Sequence, residues 1–389
     1  MNSYKFRFES ILMNIIVISL LTSCIVTQTT SQTTLINKNN VKLSDTLKLT
    51  DYVNSCRYTT LEITENSLIG EIKDIQFIEN KIFVLNSVLG NNEILVFDQT
   101  GRYLNTIGSK GNGPHEYLSI NSFCINNFKN YIVVFDALKQ KVIKYNYSGE
   151  FLASVPQKNE CGFLIKSRFI SKDRILCVNG VNSYTSTIIF ECDEDLGNID
   201  VLSTSGLKCN GLYIYAKDPI AVQSRYYFNP LSNIVYKYTD KESVPAFELD
   251  LNVSEYDLQT EIADGADYGK SFISTLQKGF FPLNGIIEND KYLLLIQNGY
   301  FTLWNKNNNT GVSSFCSLSG GSKDILPLPI CSVVSGIGNN FVSILSYKEM
   351  TDIKNFYQKK QIQPNEKIQK LIDSQRENDN PTIVFYQMK

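Results

Sequence analysis

One histidine and one tryptophan occur among 389 residues, and the shortage of histidine narrows the possible chemistry at once. Metal centres built on two or three imidazoles need ligands that this chain does not have. A Ser-His-Asp triad would have to run through His115, and no Gly-x-Ser-x-Gly elbow accompanies it. The nine cysteines include no pair with the two-residue spacing of a zinc knuckle or thiol redox motif. Basic blocks are absent: 37 Lys and Arg stand against 39 Asp and Glu, for a net charge of -2. Nucleic acid therefore lacks its electrostatic footprint. No apolar run reaches the roughly 20 residues of a membrane-spanning helix.

What is present begins at the N-terminus. Lys5 and Arg7 precede an apolar stretch from Ile11 to Leu21, and Leu21-Thr22-Ser23-Cys24 follows. This order predicts a secretory signal peptide over 1–23. Its last four residues resemble a bacterial lipobox, which implies cleavage before Cys24 and lipid attachment there. Thr27 to Asn40 is polar and free of acids, so 24–48 reads as a flexible tether. Residues 49–389 are left as the folded domain. Of the other cysteines, Cys124, Cys177 and Cys331 lie inside apolar runs, where a thiol acts as a small hydrophobe. Mostly buried thiols are expected, with one or two disulfides at most in an oxidising compartment.

The domain repeats itself. Ile94 to Leu104 and Val142 to Leu152 lie 48 residues apart, and each reads as a strand, a tight turn and a second strand. Another apolar run precedes each, Ile82 to Asn86 and Ile132 to Asp136. Short strands recurring at about 40 to 50 residues are the mark of propeller blades. Further units appear around Arg174 to Cys192, Arg225 to Tyr238, Lys291 to Trp304, and Asn340 to Leu345 with Thr382 to Tyr386. The chain holds 22 Tyr and 22 Phe, a bias that also suits strands. Several runs are apolar at consecutive positions, as strands buried on both faces require. Ser254 to Leu276 and Lys348 to Arg376 break the pattern with helix-forming residues, and the second carries a stripe of Ile362, Ile368, Leu371 and Ile372. The fold class is therefore all-β, a six-bladed β-propeller with short helical insertions in the late blades.

The segment Gly108 to Tyr117 is dense in glycine. A phosphate-cradling loop needs a helix after it, whereas Leu118 to Ile125 reads as a strand. A blade-to-blade crossover is the reading that fits. Because propeller-face loops often carry function, Lys110, Asn112, His115, Glu116 and Tyr117 are the candidate contact residues.

The run from Ile94 through Tyr117, a Phe-Asp-x-x-Gly turn followed by Gly-x-x-Gly-x-Gly-Pro-x-Glu-Tyr, resembles the six-bladed β-propeller lipoproteins of Bacteroidetes, relatives of NHL-repeat propellers. Leu61-Glu62 with Leu68-Ile69-Gly70 resembles that family's opening strand, and Asn380 to Tyr386 its closing strand. His115 departs from the pattern, which usually has glycine there. The resemblance implies ring closure by an N-terminal strand in the last blade. It also implies an envelope location, lipid-anchored at the outer membrane. Surface export in such lipoproteins is associated with acids after the lipidated cysteine, and Ile25-Val26-Thr27-Gln28 has none, so the periplasmic side is expected. Asp45-Thr46-Leu47 resembles an O-glycosylation triplet of the same phylum.

The expected function is a non-catalytic binding or scaffolding module, held to the membrane by its lipid, for a glycan, peptide or protein partner. A polysaccharide hydrolase or lyase using funnel carboxylates is the alternative. No cofactor is expected. Calcium would find oxygen donors at the turns but has no EF-hand-like spacing. A monomer without nucleic-acid partners completes the expectation.

Overall fold

Antiparallel strand pairs dominate because alternating turn residues and short apolar runs fold locally into hairpins. A computed structural model describes residues 33–44, 47, 51–157, 164–179, 187–204, 220, 226–228, 234–239, 242–250, 283–297, 300–315, 318–329 and 332–389. Six sheets follow one another along the chain, each built in order from inner to outer strand. Blade 1 contains Glu71–Ile78, Lys81–Val88, Asn91–Asp98 and Tyr103–Thr106; blade 2 contains Ile120–Asn126, Tyr131–Asp136, Lys141–Asn146 and Phe151–Pro156. Blade 3 contains Leu164–Phe169, Arg174–Asn179, Thr187–Asp193 and Asp200–Thr204. Blade 4 has Tyr226–Phe228, Ile234–Tyr238 and Ser243–Asp250; blade 5 has Leu283–Glu288, Tyr292–Gln297, Tyr300–Asn305 and Thr310–Phe315; blade 6 has Val333–Ile337, Asn340–Leu345 and Thr382–Met388. First strands touch one another across the seams of blades 1 and 2, 2 and 3, 4 and 5, 5 and 6, and 6 and 1. Together these sheets form a six-bladed β-propeller.

Second strands are the most deeply buried. Every residue of Tyr131–Asp136 and of Tyr292–Gln297 is buried, because a neighbouring blade packs on each face. The core is divided into clusters that sit between blades, such as the one joining Phe83, Ile94 and Val96 of blade 1 to Phe123, Ile132 and Ile143 of blade 2.

The repeated turns have a tertiary role as well as a local one. Asp98 Oδ1 accepts hydrogen bonds from the Thr100 and Arg102 amides at 2.8 and 3.1 Å. Asn146 Oδ1 does the same for the Ser148 and Glu150 amides at 3.0 and 2.9 Å. Each turn ends in a glycine of positive φ, Gly101 at 88° and Gly149 at 86°. A Cβ on Gly101 would lie 2.2 Å from the Thr60 carbonyl oxygen, and one on Gly149 2.6 Å from that of Thr106. In both cases the outer strand of the preceding blade presses on the turn, so the repeat also records blade-to-blade contact.

Three N-terminal strands complete the ring, and their placement corrects the expected tether. Strand β1 (Thr34–Asn37) pairs parallel with Ser243–Asp250 of blade 4, β2 (Val41–Leu43) pairs parallel with Thr310–Phe315 of blade 5, and β3 (Val53–Thr60) pairs antiparallel with Thr382–Met388 of blade 6. Residues 34–43, expected within a flexible tether over 24–48, are thus a strap across two blades. Their polar composition misleads because two residues suffice to pin them: Ile36 and Val41 are buried beside Phe247, Leu249 and Trp304. Backbone bonds supply the rest, for example from the Gly311 amide to the Asn40 carbonyl at 2.9 Å. The β3 register, from Val53 opposite Met388 to Thr60 opposite Thr382, is the closure by an N-terminal strand that the family resemblance implies.

Between the second and third strands of blade 6 lie two helices, α1 (Tyr347–Lys360) and α2 (Glu366–Ser374). The Ser346 amide donates to Glu349 Oε2 at 3.0 Å at the start of α1, and Asn365 Oδ1 accepts from the Ile368 amide at 2.9 Å at the start of α2. Met350, Ile353 and Tyr357 of α1 join Ile368, Leu371 and Ile372 of α2 in a core shared with blades 5 and 6. The expected stripe is therefore the buried face, with Ile362 packed partly against it. The expected insertion at 254–276 lies outside the described residues.

Among the described residues Cys56, Cys124 and Cys192 are free thiols, and Cys124, Cys177 and Cys192 are fully buried. Cys177 and Cys192 place their Sγ atoms 3.8 Å apart on paired strands of blade 3. Cys24, Cys161, Cys209, Cys316 and Cys331 lie outside the described residues.

Candidate functional site

The loop holding the five residues singled out from sequence is folded back on itself. Gly111 N–H donates to the Tyr117 carbonyl at 2.9 Å and Tyr117 N–H to the Ser109 carbonyl at 3.1 Å. Glu116 Oε2 accepts from the Gly113 amide at 2.7 Å, and a Cβ on Gly111 would sit 2.0 Å from that same oxygen. A side chain at 111 would have to displace the Glu116 carboxylate. Lys139 Nζ donates to the Gly113 and Glu116 carbonyls at 2.9 and 2.8 Å, and Tyr145 Oη donates to the His115 carbonyl at 2.7 Å. Tyr117 is buried, and burial, with Glu93 and Tyr145 nearby, pushes its phenol well above the usual range. Lys110 reaches Asn91 Oδ1, Asn112 is exposed, and the His115 ring stacks on Phe151 with centroids 3.9 Å apart. The five residues thus share one loop but converge on no common space. Glu116 and Tyr117 hold the crossover, and a strand, Ile120–Asn126, follows it rather than a helix.

A second group, not foreseen from the sequence, lies near the axis. Asp74 on the first strand of blade 1 meets Lys166 and Arg168 on the first strand of blade 3, all three at least nine-tenths buried. Lys166 Nζ donates to Asp74 Oδ1 at 2.7 Å; Arg168 donates from Nη1 to Oδ2 at 2.9 Å and from Nη2 to Oδ1 at 2.8 Å. Burial opposes the charged carboxylate, but Arg168 and Lys166 outweigh it and hold Asp74 well below the ordinary carboxylate range. Gln76 bridges from Asp74 Oδ2 to the Phe123 carbonyl of blade 2 at 3.2 and 2.9 Å, and the Ser122 and Ser167 hydroxyls meet at 2.8 Å. This cluster ties three blades together, and its carboxylate is fully occupied in doing so.

A cleft of about 590 Å³ opens where blade 6 meets blade 1. Ile69 and Ile72 line the blade 1 side, Val334 and Ile344 the blade 6 side, and Tyr347 with Glu349 at the start of α1 forms a wall. Glu71, Glu377 and Asp379 add carboxylates at its edge. Most are engaged: Glu71 pairs with Lys73 at 2.6 Å, Glu349 accepts from the Ser346 amide, and Asp379 Oδ2 accepts from the Arg376 amide at 2.7 Å. Tyr347 is 41% exposed. A mixed apolar and polar concavity of this size is what a small ligand or a side-chain cluster of a partner occupies. The only advance signal was the helix-forming insertion at 348–376, since the blade 1 wall comes from residues some 270 positions away in the chain. Among the described residues no three His, Cys, Asp or Glu side chains group as metal ligands.

A crystal structure from Bacteroides fragilis, of a protein described as exported, superposes with a TM-score of 0.68 at 19% identity, covering 92% of this chain and all of that one. A member of the duf4221 family from Bacteroides vulgatus gives 0.54 at 12% identity, covering 87% of this chain and 97% of that one. Both are likenesses of fold. No curated protein matches. A family model described as "Domain of unknown function (DUF4934)" matches residues 32–387.

Proposed function

The chain belongs to the DUF4934 family, and from that premise we propose that it is an exported, lipid-anchored propeller that binds a glycan, peptide or protein partner without transforming it. The observation carrying the reading is the cleft at the seam of blades 6 and 1, walled by the inserted helix and bearing the exposed Tyr347 ring. The prior engagement of Glu71, Glu349 and Asp379 speaks for binding over general acid–base work, which needs carboxylates free to meet substrate. Titration of the full chain with glycan and peptide panels is expected to yield a ligand that raises the unfolding temperature and is recovered unchanged. Tyr347→Ala combined with Glu377→Ala should weaken it tenfold or more. Turnover of the ligand, or affinity indifferent to both substitutions, overturns the reading.

Export and anchoring rest on the order of residues 1–24 and on the fold neighbour described as exported. With no acid just after Cys24, the periplasmic side of the outer membrane is favoured. Cys24→Ala is expected to leave the leader uncleaved by the lipoprotein route and to abolish metabolic labelling by a fatty-acid analogue. Unchanged labelling would refute attachment at Cys24.

A further inference from the structure

The seam cleft of blades 6 and 1 combines half-buried apolar walls with charge of mainly one sign. Ile69, Ile72, Val334 and Ile344 form the walls, and four carboxylates line the same space: Glu71, Glu349, Glu377 and Asp379. Against them stands one lining cation, Lys348, with Lys73 next to it in reach through its pair with Glu71 at 2.6 Å. The positive end of helix α1 adds no further attraction for anions, because the Glu349 carboxylate already caps it. The carboxylates also keep acceptor capacity. Glu377 makes no hydrogen bond or ion pair with a described residue. Glu349 and Asp379 each accept through a single oxygen, Oε2 and Oδ2, so Oε1 and Oδ1 accept from no described residue. Their existing partners fix where those remaining oxygens stand.

We propose that the occupant of this cleft is a basic polypeptide segment that inserts an arginine or lysine side chain. The proposal rests on the ligand-binding reading above and names the class of ligand. A long basic side chain is itself divided as the cleft is: a methylene stem that lies along apolar surface and a charged head that seeks acceptors. Arginine fits best, since its planar fork donates to carboxylate oxygens in pairs. The 41% exposed Tyr347 ring offers the same head a π face. Neutral glycans would leave the excess negative charge unanswered, and acidic glycans would be repelled by it. Of the three kinds of partner a binding propeller could hold, the charge of this cleft selects polypeptide.

The probes are a fluorescent peptide Gly-Ser-Leu-Arg-Leu-Ser-Gly and its twin carrying citrulline, which keeps the shape of arginine without its charge. Added to the full chain, the arginine peptide is expected to bind saturably by anisotropy, and the citrulline peptide about tenfold or more weakly. Affinity should fall as sodium chloride rises from about 0.05 to 0.5 M, because exposed charges are screened over that range. Two substitutions at side chains without ion-pair partners among the described residues should act in opposite directions. Glu377→Gln should weaken binding severalfold, and Lys348→Ala should strengthen it. Equal binding of both peptides, or affinity indifferent to salt and to both substitutions, overturns the choice of a cation while leaving a binding cleft. A glycan whose binding depends on Tyr347, with no arginine peptide bound at millimolar concentration, overturns this proposal and leaves the ligand reading standing. Failure of the arginine peptide and of every glycan and peptide in the panels overturns both.

Discussion

Asp74→Ala is expected to cost about 3–5 kcal/mol, as breaking a buried ion pair by removing one partner does. That is a large part of the roughly 5–15 kcal/mol that holds a typical native protein together. The loss arises because Lys166 and Arg168, at least nine-tenths buried, would lose the carboxylate that now accepts from both. Urea unfolding measures it, and a companion variant isolates the cause. Replacing all three residues by apolar ones of similar volume should recover much of the loss, since the desolvation of the ions is removed together with their attraction. If Asp74→Ala and the triple variant unfold alike, the charge argument is wrong and only packing was lost.

The same carboxylate sets a pH dependence. Asp74 binds fewer protons when folded than when unfolded, because its folded value is held far down by Arg168 and Lys166 despite burial. A depressed carboxylate contributes stability above its unfolded value of about 3.9, and that stability is withdrawn as pH falls from there towards the folded value. Asp74→Asn should therefore differ most from the natural chain near neutral pH, with the gap narrowing below about pH 4. A gap of constant size from pH 7 to pH 3 would contradict this assignment.

A chain lacking residues 53–60 is expected to lose cooperative unfolding altogether. Strand β3 pairs along the whole of Thr382–Met388, and without it blade 6 ends in a bare edge at the point where the ring closes. Removing it would also free Gly101 from the Thr60 backbone that presses on it, so blade 1 loses its neighbour too. Adding a synthetic peptide of residues 51–62 should restore a sharp transition by supplying the strand in trans. A truncated chain that still melts as one sharp, ligand-independent transition would show that closure by β3 is dispensable. The strap at 34–43 is a milder case, since β1 and β2 cover blades whose own strands remain in sequence.

Much of this architecture was legible residue by residue. The echo of Ile94 to Leu104 in Val142 to Leu152 marks two hairpins because turn chemistry is local: an Asp or Asn side chain caps the turn, and glycine takes the positive φ that follows. Consecutive apolar runs mark the second strands for an equally local reason, burial on both faces. The helical insertion after Leu345 was visible in its stripe. The strap was not, because its hold on the ring comes from two side chains and from backbone bonds to strands more than 200 residues later. For the candidate site, the glycine loop was correctly placed as a crossover, yet its five residues do not converge. The cleft was unreadable, since helix α1, Ile69 and Ile72 become neighbours only when the ring closes.

The sequence by itself determined the blade unit, its repetition and the nature of each turn, because hairpins are decided by side chains within a few positions of one another. Tertiary structure alone decided which strands cover the rim, which charges meet at the axis and where a ligand-sized space opens. Lys166 and Arg168 stand 92 and 94 positions from Asp74, and no pattern along the chain encodes such a meeting. It follows from closing the ring, which brings first strands of separate blades round a common axis and excludes the water that would otherwise keep those charges apart.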